Sequence, residues 1–434
     1  MAFLFTPLKL KLSHIIDSIP GDKSISHRAI IIASLANNTT TFKGFLFSED
    51  CLNTLQIFQQ LGVSIAVDST KKIVTVHGVG MHGLKPTETF LDVGNSGTGI
   101  RLITGILAAQ NFESVITGDS SIQKRPMKRI VDPLKRMGAI IDGKQTNDIY
   151  PPLTISPSHV LKGITYTMPI ASAQVKSCLL FAGLFLKEPT TVIQPDFCRD
   201  HTEIMLKAFQ ATLTTDTHRI TIEQSELANP FSDPITIPAD FSSAAFFIVL
   251  GLIHPNLSLT LKQIGMNPTR SKLIEVLQAM GGNIIVSNHK MEIEPYADIT
   301  VSSSKLTNIS IDESVIPIII DEIPILAVAG MFASGTMILS QAKELRFKES
   351  DRITQIIKLV QAFNGSIIEH DDGFELTGGF NIQSSPKIDT AFDHRIAMSA
   401  IIAALAANVT ISLDTKDSIK TSFPNFFDII ESLG

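Results

Sequence analysis

A two-domain α/β architecture is predicted by three features of the chain. At 434 residues it is too long for one simple core. Five stretches repeat one grammar: an apolar helix ends at a glycine-like break, and two short strands around a polar turn follow. Prolines, a strand-like "ITI" and a helix-starting Asp240 in "DPITIPADFSSAAFFIVLG" then mark a boundary, with about three units on each side.

The five stretches are "LGVSIAVDSTKKIVTVHG" from Leu61, "MGAIIDGKQTNDIYPPLTIS" from Met137, "FQATLTTDTHRITIEQS" from Phe209, "MGGNIIVSNHKMEIEP" from Met280 and "FNGSIIEHDDGFELTG" from Phe363. Their breaks lie roughly 70–85 residues apart, well beyond the ~20–50 of a solenoid repeat, so each unit can hold two helices and several strands. The opening "MAFLFTPLKLKLSHI" alternates as a strand does and has neither a signal-peptide cleavage pattern nor an organelle-type extension.

Composition is that of a globular protein, 44% hydrophobic and 18% charged. Mean hydropathy is +0.24, yet "AIIIASLA", "AAFFIVLGLI" and "IAMSAIIAALAA" are shorter than the ~20 residues of a membrane span. "VIPIIIDEIPILAVAGMFA" is long enough, but Asp321 and Glu322 interrupt it; all four read as buried elements of a soluble protein. Cys51, Cys178 and Cys198 have no metal-type spacing and fit a reducing cytoplasm. A formal charge of −6 argues against nucleic-acid binding and leaves local anion sites open.

The polar motifs share a position, each just ahead of an apolar helix. They are "GDKSISHR", "DVGNSGTG", "ASAQ", "CRDHTE", "RFKESDR" and "FDHR". After "RFKESDR", Ile353, Ile356, Ile357, Val360 and Phe363 keep helical spacing. Each motif offers a Ser, Thr or Asp as N-cap, and a helix start attracts anions through its unpaired N–H groups and about half a positive charge. Capping needs no Lys or Arg, so their presence in most of these motifs points to a shared anion site. A nucleotide-triphosphate loop is excluded on spacing: Ile16 stands where its first Gly belongs, and Asp22 separates Gly21 from Lys23. No HExxH or EF-hand pattern occurs, and no metal is predicted.

"PGDKSISHRA", "LDVGNSGTGIRL", "GDSSIQKRPM", "DEIPILAVA", "RFKESDR" and "DHRIAM" together closely resemble the 5-enolpyruvylshikimate-3-phosphate synthase family, in order, from Pro20 to about Pro424. The resemblance implies an inside-out α/β barrel, the two-domain enolpyruvyl transferase fold, with three βαβαββ units per domain. The N-terminal domain would span 21–239 and the C-terminal domain 1–20 plus 240–434, the chain crossing twice and the active site lying in the cleft between them.

It also implies transfer of the enolpyruvyl group of phosphoenolpyruvate to the 5-hydroxyl of shikimate 3-phosphate, with no cofactor. Lys23, Ser24, Arg28, Ser172, Ala173, Gln174, Arg199, Asp321 and Lys348 would hold shikimate 3-phosphate. Where some relatives have Ser-Lys-Pro-Tyr this chain has "CRDH", so the resemblance implies that Arg199 would take the 3-phosphate. Phosphoenolpyruvate would meet Lys23, Asn95, Gly97, Arg125, Gln174, Arg352 and Arg395, with Arg101 shaping the loop; arginine's planar fork suits carboxylate and phosphate. Lys23, Asp321 and Glu349 would be catalytic, the two carboxylates handling the protons.

Glyphosate is expected at the phosphoenolpyruvate site, where a side chain at Gly97 would exclude it, and the expected protein is a cytoplasmic monomer without nucleic-acid or membrane partners. Two positions depart from the family pattern. Thr421 stands where some relatives carry a Lys before "TFP", with Lys420 one residue earlier, and Glu344 replaces an Asn; neither Lys420 nor Glu344 is assigned a role. The nearest rival is the UDP-N-acetylglucosamine 1-carboxyvinyltransferase family, whose reactive Cys is missing from "GDSSIQKRP". An RNA-processing protein on related α/β units would want a basic surface and stacking aromatics, against three Tyr and no Trp here.

Overall fold

The computed structural model describes residues 2–382 and 385–434. Met1, Gln383 and Ser384, which fall in the predicted C-terminal domain, lie outside the described residues. The chain divides into two units: one holds Gly21–Ile237 with Glu292–Glu294, the other Met1–Pro20, Pro238–Met291 and Pro295–Gly434. This division differs from the expected one only at Pro238, Ala239 and Glu292–Glu294. The Ala239 N–H bonds the Gln263 carbonyl at 2.9 Å and Ala239 bridges Ile264, which places Pro238 and Ala239 with the C-terminal unit. The short return at Glu292–Glu294 belongs to the N-terminal unit because Ile293 packs on that unit's core and His201 meets Glu294 at 2.7 Å.

The N-terminal unit carries helices α1 (Lys23–Leu35), α2 (Glu49–Gln60), α3 (Gly97–Leu107), α4 (Lys128–Arg136), α5 (Ala173–Gly183) and α6 (His201–Ala208). The C-terminal unit carries α7 (Phe241–Ile253), α8 (Leu273–Ala279), α9 (Ile316–Ile319), α10 (Ile323–Phe332), α11 (Arg352–Ala362), α12 (His394–Ala407) and α13 (Phe426–Ser432).

Sheet topology exposes the repeat. In the N-terminal unit three sheets share one pattern, a parallel pair followed by two antiparallel pairings. Thr39–Lys43 is parallel to Ile235–Thr236 and antiparallel to Ile73–His77, which pairs with Ser64–Asp68. Sheets centred on Ser114–Thr117 and Thr190–Ile193 follow the same order. The C-terminal unit repeats it around Ser258–Gly265. Around Thr336–Leu339 an isolated parallel bridge at Ser310 replaces the parallel strand. Around Ile411–Leu413 the antiparallel partner is Phe3–Phe5, so the predicted opening strand is in fact two pieces, Phe3–Phe5 and Ser13–Ile16, in different sheets. Pro7, with no N–H to give a ladder, lies between them.

All five predicted breaks use one device. The residue after the helix cap takes the left-handed conformation, at Gly62 (φ 91°), Gly138 (φ 100°), Gln210 (φ 68°), Gly281 (φ 96°) and Asn364 (φ 64°). The next N–H then reaches back to a carbonyl in the last helical turn: Val63 to Phe58 and Ala211 to Leu206, each at 2.9 Å. Helix α2, α4, α6, α8 or α11 thereby ends and turns directly into a hairpin.

The other helices are different. α1, α3 and α5 are buried on nearly every side in the N-terminal unit, as α7, α10 and α12 are in the C-terminal one. A helix that is apolar all round can only be a core helix, and each unit closes its own hydrophobic core around these three. Contact between α3 and α5 is close enough that a Cβ on Gly105 would stand 2.2 Å from the Cys178 carbonyl oxygen. Among the described residues no single helix is long and apolar enough to cross a membrane. The long apolar run breaks at Asp321 and Glu322, and its two helical arms, Glu313–Ile319 and Ile323–Phe332, are turned 117° from one another. Cys51, Cys178 and Cys198 are buried free thiols.

Candidate functional site

The polar motifs cap the buried helices. Asp22 accepts from the Ile25 N–H at 2.9 Å, Ser96 from Gly99 at 2.9 Å and Ser172 from Val175 at 3.4 Å, which fixes the starts of α1, α3 and α5. Side-chain bonds then join these starts at one end of the N-terminal unit. His27 lies between Thr54 on α2 (2.8 Å from Nδ1) and Ser96 at the start of α3 (3.4 Å from Nε2). Burial, reinforced by Lys23 and Arg28, pulls its pKa down to about 3, so the ring is neutral at pH 7. The Thr54 hydroxyl donates to the Asp50 carbonyl at 3.4 Å and therefore accepts from Nδ1–H, leaving Nε2 to accept from Ser96.

The basic side chains are braced by the same helices. Arg28 is buried and donates to Thr202 at 2.6 Å, Ser177 at 2.9 Å and the Ser24 carbonyl at 2.9 Å. Burial lowers its pKa to about 10, which keeps it charged at neutral pH. Lys23 pairs with Asp50 at 3.3 Å. Arg101 donates to Gln174 at 2.6 Å and to the Gly97 carbonyl at 3.2 Å, and Gln174 in turn donates to Thr98 at 3.1 Å. Arg125, from the loop after the second sheet's parallel strand, donates to Asn95 at 2.9 Å. Asn95 is itself fixed by Asp119 at 2.6 Å. Gly97 lies beneath these guanidiniums: a Cβ there would stand 2.7 Å from one Arg125 nitrogen and 3.1 Å from an Arg101 nitrogen.

The C-terminal unit assembles its own cluster at the starts of α7, α10, α11 and α12. Arg352 is buried and forms ion pairs with three carboxylates: Asp393 at 2.8 Å, Glu349 at 2.5 Å and Asp321 at 3.2 Å. Burial would lower the Arg352 pKa, but these carboxylates outweigh it and drive the pKa up. Burial likewise works against charge on Asp393, and Arg352 overcomes it, holding that carboxyl below its usual range. Asp393 also caps α12, accepting from the Arg395 N–H at 2.9 Å. Lys348 reaches Asp321 at 3.4 Å, and Arg395 donates to the Asp321 carbonyl at 2.8 Å. Behind them Glu322, fully buried, accepts from the Ser242 hydroxyl, which accepts from Arg270 at 2.6 Å.

Each unit therefore brings together its own share of the predicted residues. Lys23, Ser24, Arg28, Asn95, Gly97, Arg101, Arg125, Ser172, Ala173 and Gln174 mark the starts of α1, α3 and α5 with the loops beside them. Arg199 is half-buried just ahead of α6. Asp321, Lys348, Glu349, Arg352 and Arg395 form the second group, in which Arg352 is a buried hub for carboxylates rather than an open fork. Lys420 is exposed in the short 3-10 turn Asp417–Thr421. Sequence reasoning missed Asp393 as a ligand of Arg352, and it missed the supporting residues Thr202, Ser177, Lys176, Glu203, Glu322 and Arg270. Charges inside apolar runs, Lys176 in "VKSCLLFAG" and Glu322 in "VIPIIIDEIPILAVAGMFA", were the visible signals. Among the described residues no group of three or more His, Cys, Asp or Glu could hold a metal ion.

Six repeats of sheet and buried helix, with charged helix starts gathered in each unit, define the enolpyruvyl transferase class. The enolpyruvyl transferase NikO of Streptomyces tendae shares the fold at a TM-score of 0.78 and 16% identity, over 100% of this chain and 97% of that one. The family model described as EPSP synthase (3-phosphoshikimate 1-carboxyvinyltransferase) matches residues 9–430, and this chain belongs to that family. A solved EPSP synthase from Acinetobacter baumannii superposes at a TM-score of 0.89 with 40% identity, over 100% of this chain and 98% of that one. Curated 3-phosphoshikimate 1-carboxyvinyltransferases from Bacillus cytotoxicus and Citrifermentans bemidjiense are 44% and 45% identical, each over 96% of this chain and over 97% and 96% of their own lengths.

Proposed function

We propose that the chain transfers the enolpyruvyl group of phosphoenolpyruvate to the 5-hydroxyl of shikimate 3-phosphate. The observation that carries this reading is the pair of contrasting clusters, a basic one braced at the starts of α1, α3 and α5 and a carboxylate-rich one around Arg352, in a chain of this family.

In the addition step the substrate's 5-oxygen bonds to C2 of phosphoenolpyruvate. The hydroxyl gives up its proton, and the methylene carbon takes one to become a methyl group. In the elimination step the methyl group loses a proton, the C–O bond to phosphate breaks and phosphate leaves. Glu349 and Asp321 supply acid and base, and Lys23 steadies the negative charge on the reacting phosphate. Ser24, Arg28, Ser172, Ala173, Gln174, Arg199 and Lys348 hold shikimate 3-phosphate; Asn95, Gly97, Arg125, Gln174, Arg352 and Arg395 hold phosphoenolpyruvate, Arg352 by dividing its N–H donors between its carboxylate partners and the incoming anion. Glyphosate occupies the phosphoenolpyruvate place. The protein acts as a cytoplasmic monomer.

The rival acceptor, UDP-N-acetylglucosamine, is disfavoured because no Cys stands in the loop around Arg125. The test is phosphate release by the purified protein: it is expected only with both shikimate 3-phosphate and phosphoenolpyruvate. Turnover with UDP-N-acetylglucosamine in place of shikimate 3-phosphate would overturn the assignment.

A further inference from the structure

Lys176 is a buried cation that the proposed chemistry does not use. It lies on α5 two residues past Gln174, in an otherwise apolar stretch, with its side chain 1% exposed. Its ammonium has three protons, and three acceptors surround it: Glu203 Oε1 at 2.5 Å, Gln194 Oε1 at 3.1 Å and the Cys198 carbonyl at 3.3 Å. Burial disfavours the charge, but Glu203 outweighs it, so the lysine stays protonated. The other Glu203 oxygen is buried without a hydrogen bond among the described residues, so the Lys176 bond is what fixes that carboxylate.

These acceptors share one purpose. Gln194 is held at the end of its strand by His218, backbone to backbone at 2.8 Å and through the ring at 3.1 Å. From there the chain runs through Pro195, Asp196 and Phe197 with no helix or strand, and folds back so that the Cys198 carbonyl meets Lys176 and its thiol meets Gln194 at 3.3 Å. Arg199 comes next, then α6, where Thr202 binds Arg28 and Glu203 binds Lys176. One buried ammonium thus ties down both ends of the segment that carries Arg199, beside the helix turn that braces Arg28.

We propose that Lys176 is a positioning residue for recognition of the substrate's phosphate: it fixes Arg199 at a set place relative to Arg28 so that the two guanidiniums meet a phosphate dianion together. This rests on the shikimate 3-phosphate reading above.

The experiment compares binding of shikimate 3-phosphate with binding of shikimate, which lacks the phosphate, by calorimetry on the full chain. Lys176→Met is expected to cut the preference for the phosphorylated ligand by about tenfold, while shikimate affinity and the KM for phosphoenolpyruvate stay near wild type. A merely structural lysine would shift the melting temperature or weaken both ligands alike. Folded Lys176→Met that keeps the full preference overturns the proposal. Should that variant fail to fold, Gln194→Ala removes one acceptor and the thiol's anchor while leaving the Lys176–Glu203 pair; it is expected to lose a smaller part of the preference, and an unchanged preference overturns the proposal equally. A wild-type protein with no preference for the phosphorylated ligand overturns the substrate reading itself, and this proposal with it.

Discussion

The two units use the same repeat and place charge at the same position in it, yet they handle that charge in opposite ways. In the N-terminal unit Arg28, Arg101 and Arg125 donate to hydroxyl, amide and carbonyl oxygens. These neutral partners orient the guanidiniums, and the helix starts beside them favour anions. In the C-terminal unit Arg352 meets three carboxylates, and Arg395 lies 3.6 Å from a fourth, Glu322. That cluster is largely self-neutralised. Its carboxylates offer groups for proton movement, with the Arg352, Arg395 and Lys348 cations held beside them. On the proposed reading, the first unit mainly binds, while the second adds the groups for proton transfer to its own anion contacts.

The largest effect should come from the chemical side. Glu349→Gln keeps an acceptor for Arg352 but removes the proposed proton-transfer group, and kcat is expected to fall by about 10²–10⁴-fold. Binary affinity for shikimate 3-phosphate should stay near wild type because most of the residues proposed to hold it are in the other unit. Steady-state turnover and direct titration on the same preparation check this. A variant whose turnover survives while affinity collapses would reverse the division of labour.

How much of this division was legible in sequence follows from the range of each interaction. Helix starts, left-handed breaks and hairpins are written within a few residues, so "GDKS", "NSGTG" and the five break–hairpin stretches could be read directly. The repeat around Ile411–Leu413 escaped because its antiparallel strand, Phe3–Phe5, stands at the other end of the chain. Partnerships were also invisible: Arg352 and Asp393 are 41 residues apart, and Arg28 and Thr202 are 174 apart. "RFKESDR" shows three cations and three anionic or capping groups in a row, but no local rule says which of them will be buried together. His27 illustrates the same gap, since "SHR" ahead of a helix looked like part of an anion cradle, whereas burial makes that ring a neutral pin.

His27 gives a second way to separate the units. Its pKa is about 3 when folded against 6.5 for the free side chain, so the unfolded chain takes up this proton first as pH falls. The stabilisation is whole above pH 6.5 and is lost as pH drops toward the folded value, about 2 kcal/mol of it by pH 5 at 1.36 kcal/mol per unit. Asp393 in the other unit is depressed from 3.8, and its contribution is lost only in stronger acid, as pH falls below that value. Hydrogen exchange corrected for intrinsic rates should therefore show α1 and α3 losing protection between pH 7 and 5 while α12 holds. His27→Gln should flatten that slope. Equal slopes in both units, or a slope unchanged by the substitution, would remove His27 as the source.

Gly97→Ala should produce the smallest effect and the sharpest test of the binding side. The position is the first residue of α3 and does not have positive φ, so the backbone accepts alanine, and helix propensity even favours it by up to about 1 kcal/mol. Strain falls instead on the end of a flexible side chain, because the new Cβ lies 2.7 Å from an Arg125 nitrogen. Arg125 must swing away and weaken its bond to Asn95. Melting temperature is then expected to hold or rise, KM for phosphoenolpyruvate to rise about tenfold, and shikimate 3-phosphate affinity to remain near wild type. That combination would show that guanidinium placement, and not unit stability, sets anion capture here. An unaltered KM in the stable variant would mean that Arg125 does not grip phosphoenolpyruvate, and the contrast between the two units would then rest on Arg28 and Arg101 alone.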